Sequence, residues 1–376
     1  MTAAWTGGGP RNPVRLARPQ RVGRWRAAAA VAQTGRVSRR SWNQVAGAAL
    51  AVASVVLTAA CAPVPGPPLA ATASATPAVT PSPTIAVTGS APQPTTLAPI
   101  EPGPAPTQRF AVERREITVI REGRSLRTVV LYPTFSGAQP DQTPQDGFPL
   151  VLFSHGLTGS PERYEPSLRA VAAAGFVVAA PEYPYTSERA AEYNPVDLVN
   201  QPADASAVIT AVLSLNTTPD DPLAGRLDPN RVAAMGHSAG GYTTMGLLAS
   251  FRDHRVRAAV VLAGGSLGGT YHDPPVPVLF VHGDADSVVP YAHGRAAYDH
   301  LPWPKAFLTV IDGGHTDFLD RDSRAAAAVT ATVVDFLRAM LYGDIVALAH
   351  VPIAATVETV TRFESRFDGS AGGGAR

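Results

Sequence analysis

The strongest constraint on this chain is a short stretch near its middle, Val232-Ala233-Ala234-Met235-Gly236-His237-Ser238-Ala239-Gly240-Gly241. A short apolar run leads into Gly-x-Ser-x-Gly, and a helix-like run over 242–250 follows. A strand that turns this tightly into a helix puts its central residue in a strained backbone conformation and requires small neighbours. Gly236 and Gly240 meet that requirement. Ser238 would then stand at the head of a sheet, beside a helix N-terminus that favours developing negative charge. A glycine-rich turn with an ordinary serine also fits the bare pattern, so its strand-then-helix context carries the weight.

That context extends over most of the chain. Runs at 117–120 and 127–132 predict a hairpin around Glu122-Gly123. Short apolar strands follow at 150–154, 176–180, 232–235, 256–262, 278–282 and 307–311, with helices between them. Ser160-Pro161 offers an N-cap with proline at the first helical position, and Gly175 closes that helix. A further helix is predicted over 202–215 and a last one over 323–342. Alternating short strands and helices predict an α/β fold, a mostly parallel central sheet covered by helices on both faces. Only 15 residues separate the strands ending at Leu262 and starting at Val278, too few for a large cap domain.

A nucleophilic serine needs a base and an orienting acid. Val281-His282-Gly283-Asp284-Ala285-Asp286 puts an acidic turn after one strand, and Ile311-Asp312-Gly313-Gly314-His315 puts a histidine in a glycine-rich loop after the next. The order Ser238, Asp286, His315 suits the strand-to-helix turn described above, with gaps of 48 and 29 residues. All three fall at carboxyl ends of predicted strands, where open α/β sheets place ligands. Asp284 and Asp312 compete with Asp286 for the acid's place. The other histidines, His254, His272, His293, His300 and His350, show no ligand spacing, and no metal site is expected. His155 and His237 read as structural hydrogen-bonding groups.

On Phe153-Ser154-His155-Gly156-Leu157-Thr158-Gly159, the Gly236-His237-Ser238-Ala239-Gly240-Gly241 turn, His282-Gly-x-x-Asp286-x-x-Val-Pro and Gly313-Gly-His315, the chain resembles the α/β-hydrolases. It is most similar to the platelet-activating-factor acetylhydrolase-like, dienelactone-hydrolase-like and cutinase-like polyesterase group, over 109–344. Pro202-Ala203-Asp204 is also familiar from that group. The resemblance implies a cofactor-free ester hydrolase with Ser238 as nucleophile, His315 as general base and Asp286 as its orienting partner. It implies an oxyanion hole from the backbone N–H groups of Leu157 and Ala239. Tyr183, Tyr185, Tyr242 and Trp303 could line an acyl pocket or simply pack in the core or at its rim. Two departures stand out: no cysteine pair staples the C-terminal region, and serine stands where dienelactone hydrolases use cysteine.

The first 61 residues contain nine arginines and no acidic residue, which leaves 22 basic against 30 acidic residues in the remainder. A nucleic-acid partner is therefore not expected, because the remainder lacks a basic excess to neutralise phosphates. Ser38-Arg39-Arg40-Ser41-Trp42 precedes a small-residue apolar run over 45–60 that is short for a membrane span and suits an export signal. Leu57-Thr58-Ala59-Ala60-Cys61 resembles a bacterial lipobox, so Cys61, the sole cysteine, is the expected lipidation site; an incidental cysteine in an uncleaved anchor is the alternative. The paired arginines also resemble a twin-arginine signal, and translation starting near Val37 would explain the long basic leader.

Residues 62–108, rich in Pro, Ala and Thr, predict a disordered tether. Residues 109–344 form the expected catalytic domain and 345–376 a C-terminal extension that frays from Gly369. The whole reads as an exported serine hydrolase, lipid-anchored at the cell envelope or secreted, cleaving short-to-medium acyl or lipid esters through an acyl-enzyme. A polyester or cutin-type hydrolase is the alternative within the same class. A peptidase of the same fold is disfavoured, because 62–108 leave no room for a propeller. A catalytically idle, hydrolase-derived binding module is the alternative of another class, disfavoured because serine, histidine and acid are all kept.

Overall fold

In the computed structural model, residues 82–88, 99–135, 143–320 and 323–367 are described. Ten strands form one sheet: β1 Thr84–Val87, β2 Ala111–Arg121, β3 Arg124–Thr134, β4 Phe148–Ser154, β5 Val177–Pro181, β6 Leu227–His237, β7 Val256–Leu262, β8 Val278–Gly283, β9 Lys305–Val310 and β10 Thr361–Arg366. Their spatial order is β1-β2-β3-β5-β4-β6-β7-β8-β9-β10. From β5 through β9 every pairing is parallel. The β2–β3 hairpin, the β3–β5 pairing and the β9–β10 pairing are antiparallel.

The central strands β4, β8 and β9 are buried along their whole length, as strands covered on both faces must be. Helices α1 (Pro161–Ala173) and α5 (Ala326–Tyr342) pack on one face through Leu168, Val171, Val329, Val333, Phe336, Leu337 and Leu341. The α5 residues recur at three- and four-residue steps, the period of a single helical stripe. Helices α2 (Gln201–Ser214), α3 (Ala239–Leu248) and α4 (Tyr291–His300) cover the other face. This is the α/β-hydrolase arrangement predicted above. The 15 residues between β7 and β8 contain no helix.

One domain boundary needs correction. Part of the predicted tether is built into the sheet: β1 pairs in parallel with β2 from Thr84↔Thr118 to Val87↔Arg121. Ile85 and Val87 pack against the core, supplying locally the apolar contact that the segment's average composition lacks. Residues 99–108 also belong to the domain. The N–H of Ala105 donates to the Asp344 carboxylate at 3.0 Å and that of Gly103 to the Tyr342 carbonyl at 3.2 Å.

At the other end, the C-terminal extension, whose packing the sequence leaves open, is built into the fold over residues 345–367. Helix α6 (Ile345–Ala355), capped by the Asp344 carboxylate, buries Val351 and Ala355 against the α5 side. Strand β10 then pairs with all of β9, from Thr361↔Val310 to Arg366↔Lys305. The export signal, Cys61 and the tail from Gly369 lie outside the described residues.

Candidate active site

Ser238 is the residue between β6 and α3, with φ 56° and ψ −122°. A non-glycine residue at positive φ is costly and persists only where its surroundings over-determine it. They do so here. The Ser238 N–H donates to the Leu262 carbonyl of β7 at 2.8 Å, and the Ser238 carbonyl accepts from Gly241 at 2.9 Å. A Cβ at Gly236 would run into the Gly240 backbone, and one at Gly240 into the Ser154 carbonyl. The spacing of the motif thus follows from strand β6, helix α3 and the end of β4 meeting at van der Waals distance.

Two further loops converge on this turn. Asp286 follows β8 and His315 follows β9, and their loops touch at Gly283, whose missing side chain makes room for the Gly313 carbonyl. The Ala285 N–H donates to Gly313 at 3.0 Å and the Asp312 N–H to the Asp284 carboxylate at 2.7 Å. Of the three aspartates considered, Asp286 is the one that meets the imidazole: His315 Nδ1 lies 2.8 Å from its Oδ2. Asp284 instead serves Asp312 and pairs with Arg362 of β10 at 2.9 Å, while Asp312 is exposed.

The buried Asp286 carboxylate is richly supplied with donors. Its Oδ1 accepts from the N–H groups of Val288 and Val289 at 2.8 and 2.9 Å. His282 Nε2 lies 3.2 Å from Oδ2 and 2.8 Å from the Val289 carbonyl. Burial by itself raises the acid's pKa. The hydrogen bonds from His282 and His315 outweigh it, and the carboxyl is held well below the usual carboxylate range. His282 is a residue that sequence reading passed over, although its place four residues before Asp286 was visible in the quoted motif.

On the other side of Ser238 lies the loop after β4. A Cβ at Gly156 would stand 3.1 Å from the Ser238 Cβ, so this backbone runs directly against the serine. His155 Nδ1 donates to the Gly156 carbonyl at 2.7 Å, and its Nε2 accepts from the Tyr183 N–H at 3.0 Å. A trans peptide points its N–H opposite to its C=O, so holding the Gly156 carbonyl aims the Leu157 N–H. Neighbouring N–H groups are taken: Gly156 donates to Tyr164 Oη, Thr158 to Thr186 and Gly159 to Gly156. Among the described residues, those of Leu157 and Ala239 have no acceptor in the protein. The Ser238 hydroxyl likewise takes no hydrogen bond among the described residues, His315 included. Such contacts are commonly long in a ligand-free site and close when substrate binds.

The pocket residues divide. Tyr183, expected as an acyl-pocket candidate, is fully buried; its hydroxyl bonds Ser154 Oγ at 2.8 Å and its ring packs on His155. It is a core residue, because the chain dives back inward directly after β5. Tyr185 is exposed, with the Arg124 guanidinium 5.2 Å over its ring. Trp303 packs with Tyr271 in the core. Tyr242 belongs instead to a small apolar cluster with Ala239, Leu198 and Val289, flanked by Leu157 and Leu267. Beside Leu198, Val196 and Val199 stand 57% and 58% exposed. Ala239 and Leu157, which adjoin the serine, and the cluster they belong to thus form its apolar rim. Among the described residues no cluster of His, Cys, Asp or Glu could hold a metal ion.

Residues 96–345 match the PETase family, described as PET hydrolase-like. Cutinase est1 of Thermobifida alba is 26% identical over 229 residues, covering 58% of this chain and 70% of that protein. A cutinase of Thermobifida fusca (strain YX) is 24% identical over 229 residues, 58% of this chain and 68% of that protein. A putative esterase, NocK, of Nocardia uniformis subsp. tsuyamanensis is 31% identical over 214 residues, 53% of this chain and 58% of its own length. With the family match spanning two thirds of its residues, the chain belongs to the PET hydrolase-like family of α/β-hydrolases.

Proposed function

We propose that the chain is a serine ester hydrolase, with Ser238 as nucleophile, His315 as base and Asp286 as the group that orients it. The observation that carries the reading is the His315–Asp286 hydrogen bond of 2.8 Å, set beside a strained serine and two unpaired backbone N–H groups. His315 Nε2 takes the hydroxyl proton as Ser238 Oγ attacks the ester carbonyl. The oxyanion of the tetrahedral intermediate is received by the N–H groups of Leu157 and Ala239, donors fixed before reaction; one such donor is typically worth about 3 kcal/mol. Collapse breaks the C–O bond, His315 returns the proton to the leaving alkoxide, and an acyl-serine remains. Water, deprotonated by His315, attacks that ester and releases the acid, regenerating Ser238.

For substrate, the polyester or cutin-type reading has the better support. The site has an apolar rim, the cluster of Ala239, Leu198, Tyr242 and Val289 with Leu157 and Leu267 packed against it, and curated relatives carry the name cutinase. An apolar rim beside the serine suits the aliphatic segment of a polyester or cutin chain. Export, with Cys61 as a lipid anchor holding the enzyme at the envelope, belongs to the same proposal and rests on the sequence of residues 1–61.

The test is hydrolysis of a p-nitrophenyl ester series and of an aliphatic polyester film by the native enzyme and by Ser238→Ala. The expected result is activity on short esters and film, falling by at least about 10³-fold in the variant. Undiminished turnover by the variant would overturn the proposal, and absence of any ester cleavage by the native protein would favour the idle binding module.

A further inference from the structure

A second histidine is buried beside the site with both ring nitrogens engaged. His237 is the last residue of β6, directly before Ser238. Its ring lies 4.7 Å from that of His315, 5.6 Å from Tyr164 and 6.3 Å from Phe318, centroid to centroid. His237 Nε2 is 2.9 Å from the carbonyl oxygen of His315, and its Nδ1 is 2.9 Å from Tyr164 Oη.

The proton positions follow from the partners. A carbonyl only accepts, so Nε2 carries the hydrogen. In the neutral ring Nδ1 is then a lone pair, and Tyr164 must donate its hydroxyl proton there. The Tyr164 oxygen in turn accepts from the Gly156 N–H at 3.2 Å. Burial, with the neighbouring His315 adding to it, lowers the His237 pKa to about 3, so the ring keeps this neutral form. The chain of bonds runs Gly156 N–H to Tyr164 to His237 to the His315 carbonyl. One end is the residue before Leu157 and the other is the base residue itself.

We propose that Tyr164 and His237 are positioning residues, a buried bridge that holds the loop carrying the Leu157 N–H and the loop carrying His315 at a fixed separation across Ser238. The inference rests on the serine-hydrolase reading above. Both ends of the bridge are main-chain groups of loops, which lack a ladder of their own to fix them. Sequence shows neither link: Tyr164 lies on α1, five residues past the motif that ends at Gly159, and His237 reads there as a structural hydrogen-bonding group with no partner assigned.

The variants are Tyr164→Phe, which removes the link, His237→Asn, whose amide reproduces only the Nδ1 side, and His237→Gln, whose amide reaches the Nε2 side and keeps a donor for the His315 carbonyl. Steady-state kinetics on a soluble p-nitrophenyl ester, the rate of fluorophosphonate labelling and the thermal midpoint are measured for each, with the native protein and Ser238→Ala as controls. The expected result is a loss of kcat and of labelling rate of roughly 10- to 100-fold in Tyr164→Phe and His237→Asn, as a displacement of about 1 Å costs. KM stays within about twofold, and His237→Gln, which cannot reach Tyr164, loses rate as the other two do, the pattern of a group acting on geometry rather than on binding. Folded variants that keep native kcat, or a His237→Gln that restores it, would overturn the bridge. If His237→Asn does not fold, Tyr164→Phe alone decides. Native protein that labels nowhere, or labels equally with Ser238→Ala, would instead sink the serine-hydrolase reading.

Discussion

His315 Nδ1 lies 2.8 Å from the Oδ2 of Asp286, although the two side chains come from different loops 29 positions apart. The contact fixes which imidazole nitrogen faces the serine, because the nitrogen that donates to the carboxylate must carry the proton. In Asp286→Asn the amide can present its N–H instead and invert the tautomer. The expected loss is about 10⁴-fold in kcat with the fold kept, measured on a soluble ester beside the circular dichroism spectrum.

The same pair sets a pH dependence of stability. The Asp286 carboxyl is held below its ordinary value, since the His282 and His315 hydrogen bonds overcome the effect of burial. A depressed carboxyl stabilises the fold fully above its unfolded value of about 4 and loses that contribution as pH falls through the folded value. The difference in thermal midpoint between native protein and Asp286→Asn should therefore be constant from neutral pH to about pH 4 and narrow below it. A difference that widens in acid would contradict the assignment.

Gly240 carries the tightest approach in the turn, where an added Cβ would strike the Ser154 carbonyl. Backbone cannot move aside as a side-chain tip can. Gly240→Ala should lower stability by about 3 kcal/mol, the upper end for overpacking, as read from denaturant unfolding. Refolded protein should also be inactive, because Ser238 and the end of β4 are pushed apart.

Asp204 of the Pro202-Ala203-Asp204 segment is fully buried and accepts from Arg121 at 2.8 Å and from Arg124 at 2.6 Å. Arg124 also holds Asp197 at 2.6 Å, beside Leu198 of the rim. Removing one partner of a buried pair leaves an uncompensated charge, so Asp204→Ala should cost about 3–5 kcal/mol. Its measure is the shift of the urea midpoint. The segment's familiar look in the sequence thus has a structural cause and needs no catalytic one.

Val196 and Val199 are exposed and stand within two residues of Leu198, a member of the Ala239–Tyr242–Val289 cluster. If a polymer or lipid surface docks there, Val196→Asp together with Val199→Asp should cut product release from polyester film roughly tenfold, since burying a valine contributes about 1.5 kcal/mol or more. Turnover of p-nitrophenyl acetate, which needs no rim, should stay within about twofold. Equal losses on both substrates would remove the rim from the account.

The sequence made the site's framework readable because each part is local. Ser238 announces itself by glycines two residues away on either side, and Asp286 and His315 each follow a short apolar strand within a few residues. The strand Val256–Leu262 is matched in full, since a run of buried apolar residues between polar ends has one reading. What stayed hidden depends on partners distant in the chain. Strand β1 is four residues long in a Pro- and Thr-rich stretch and exists only by pairing with β2. Strand β10 alternates charges, Arg362, Glu364 and Arg366, a pattern that gives no sign of a strand until β9, Asp284 and Arg295 receive it. Tyr183 looked like a loop aromatic, and only the Ser154 hydroxyl on the neighbouring strand β4 shows why it is drawn inside.

The central claim is that Ser238 is the nucleophile of an acyl-transfer site. Treatment of the purified protein with a fluorophosphonate, followed by peptide mass spectrometry, tests it in one step. The account predicts a single phosphonylated residue, Ser238, lost in Ser238→Ala and blocked by prior denaturation. A modified residue elsewhere, or an unmodified Ser238 in protein that still cleaves esters, would contradict it.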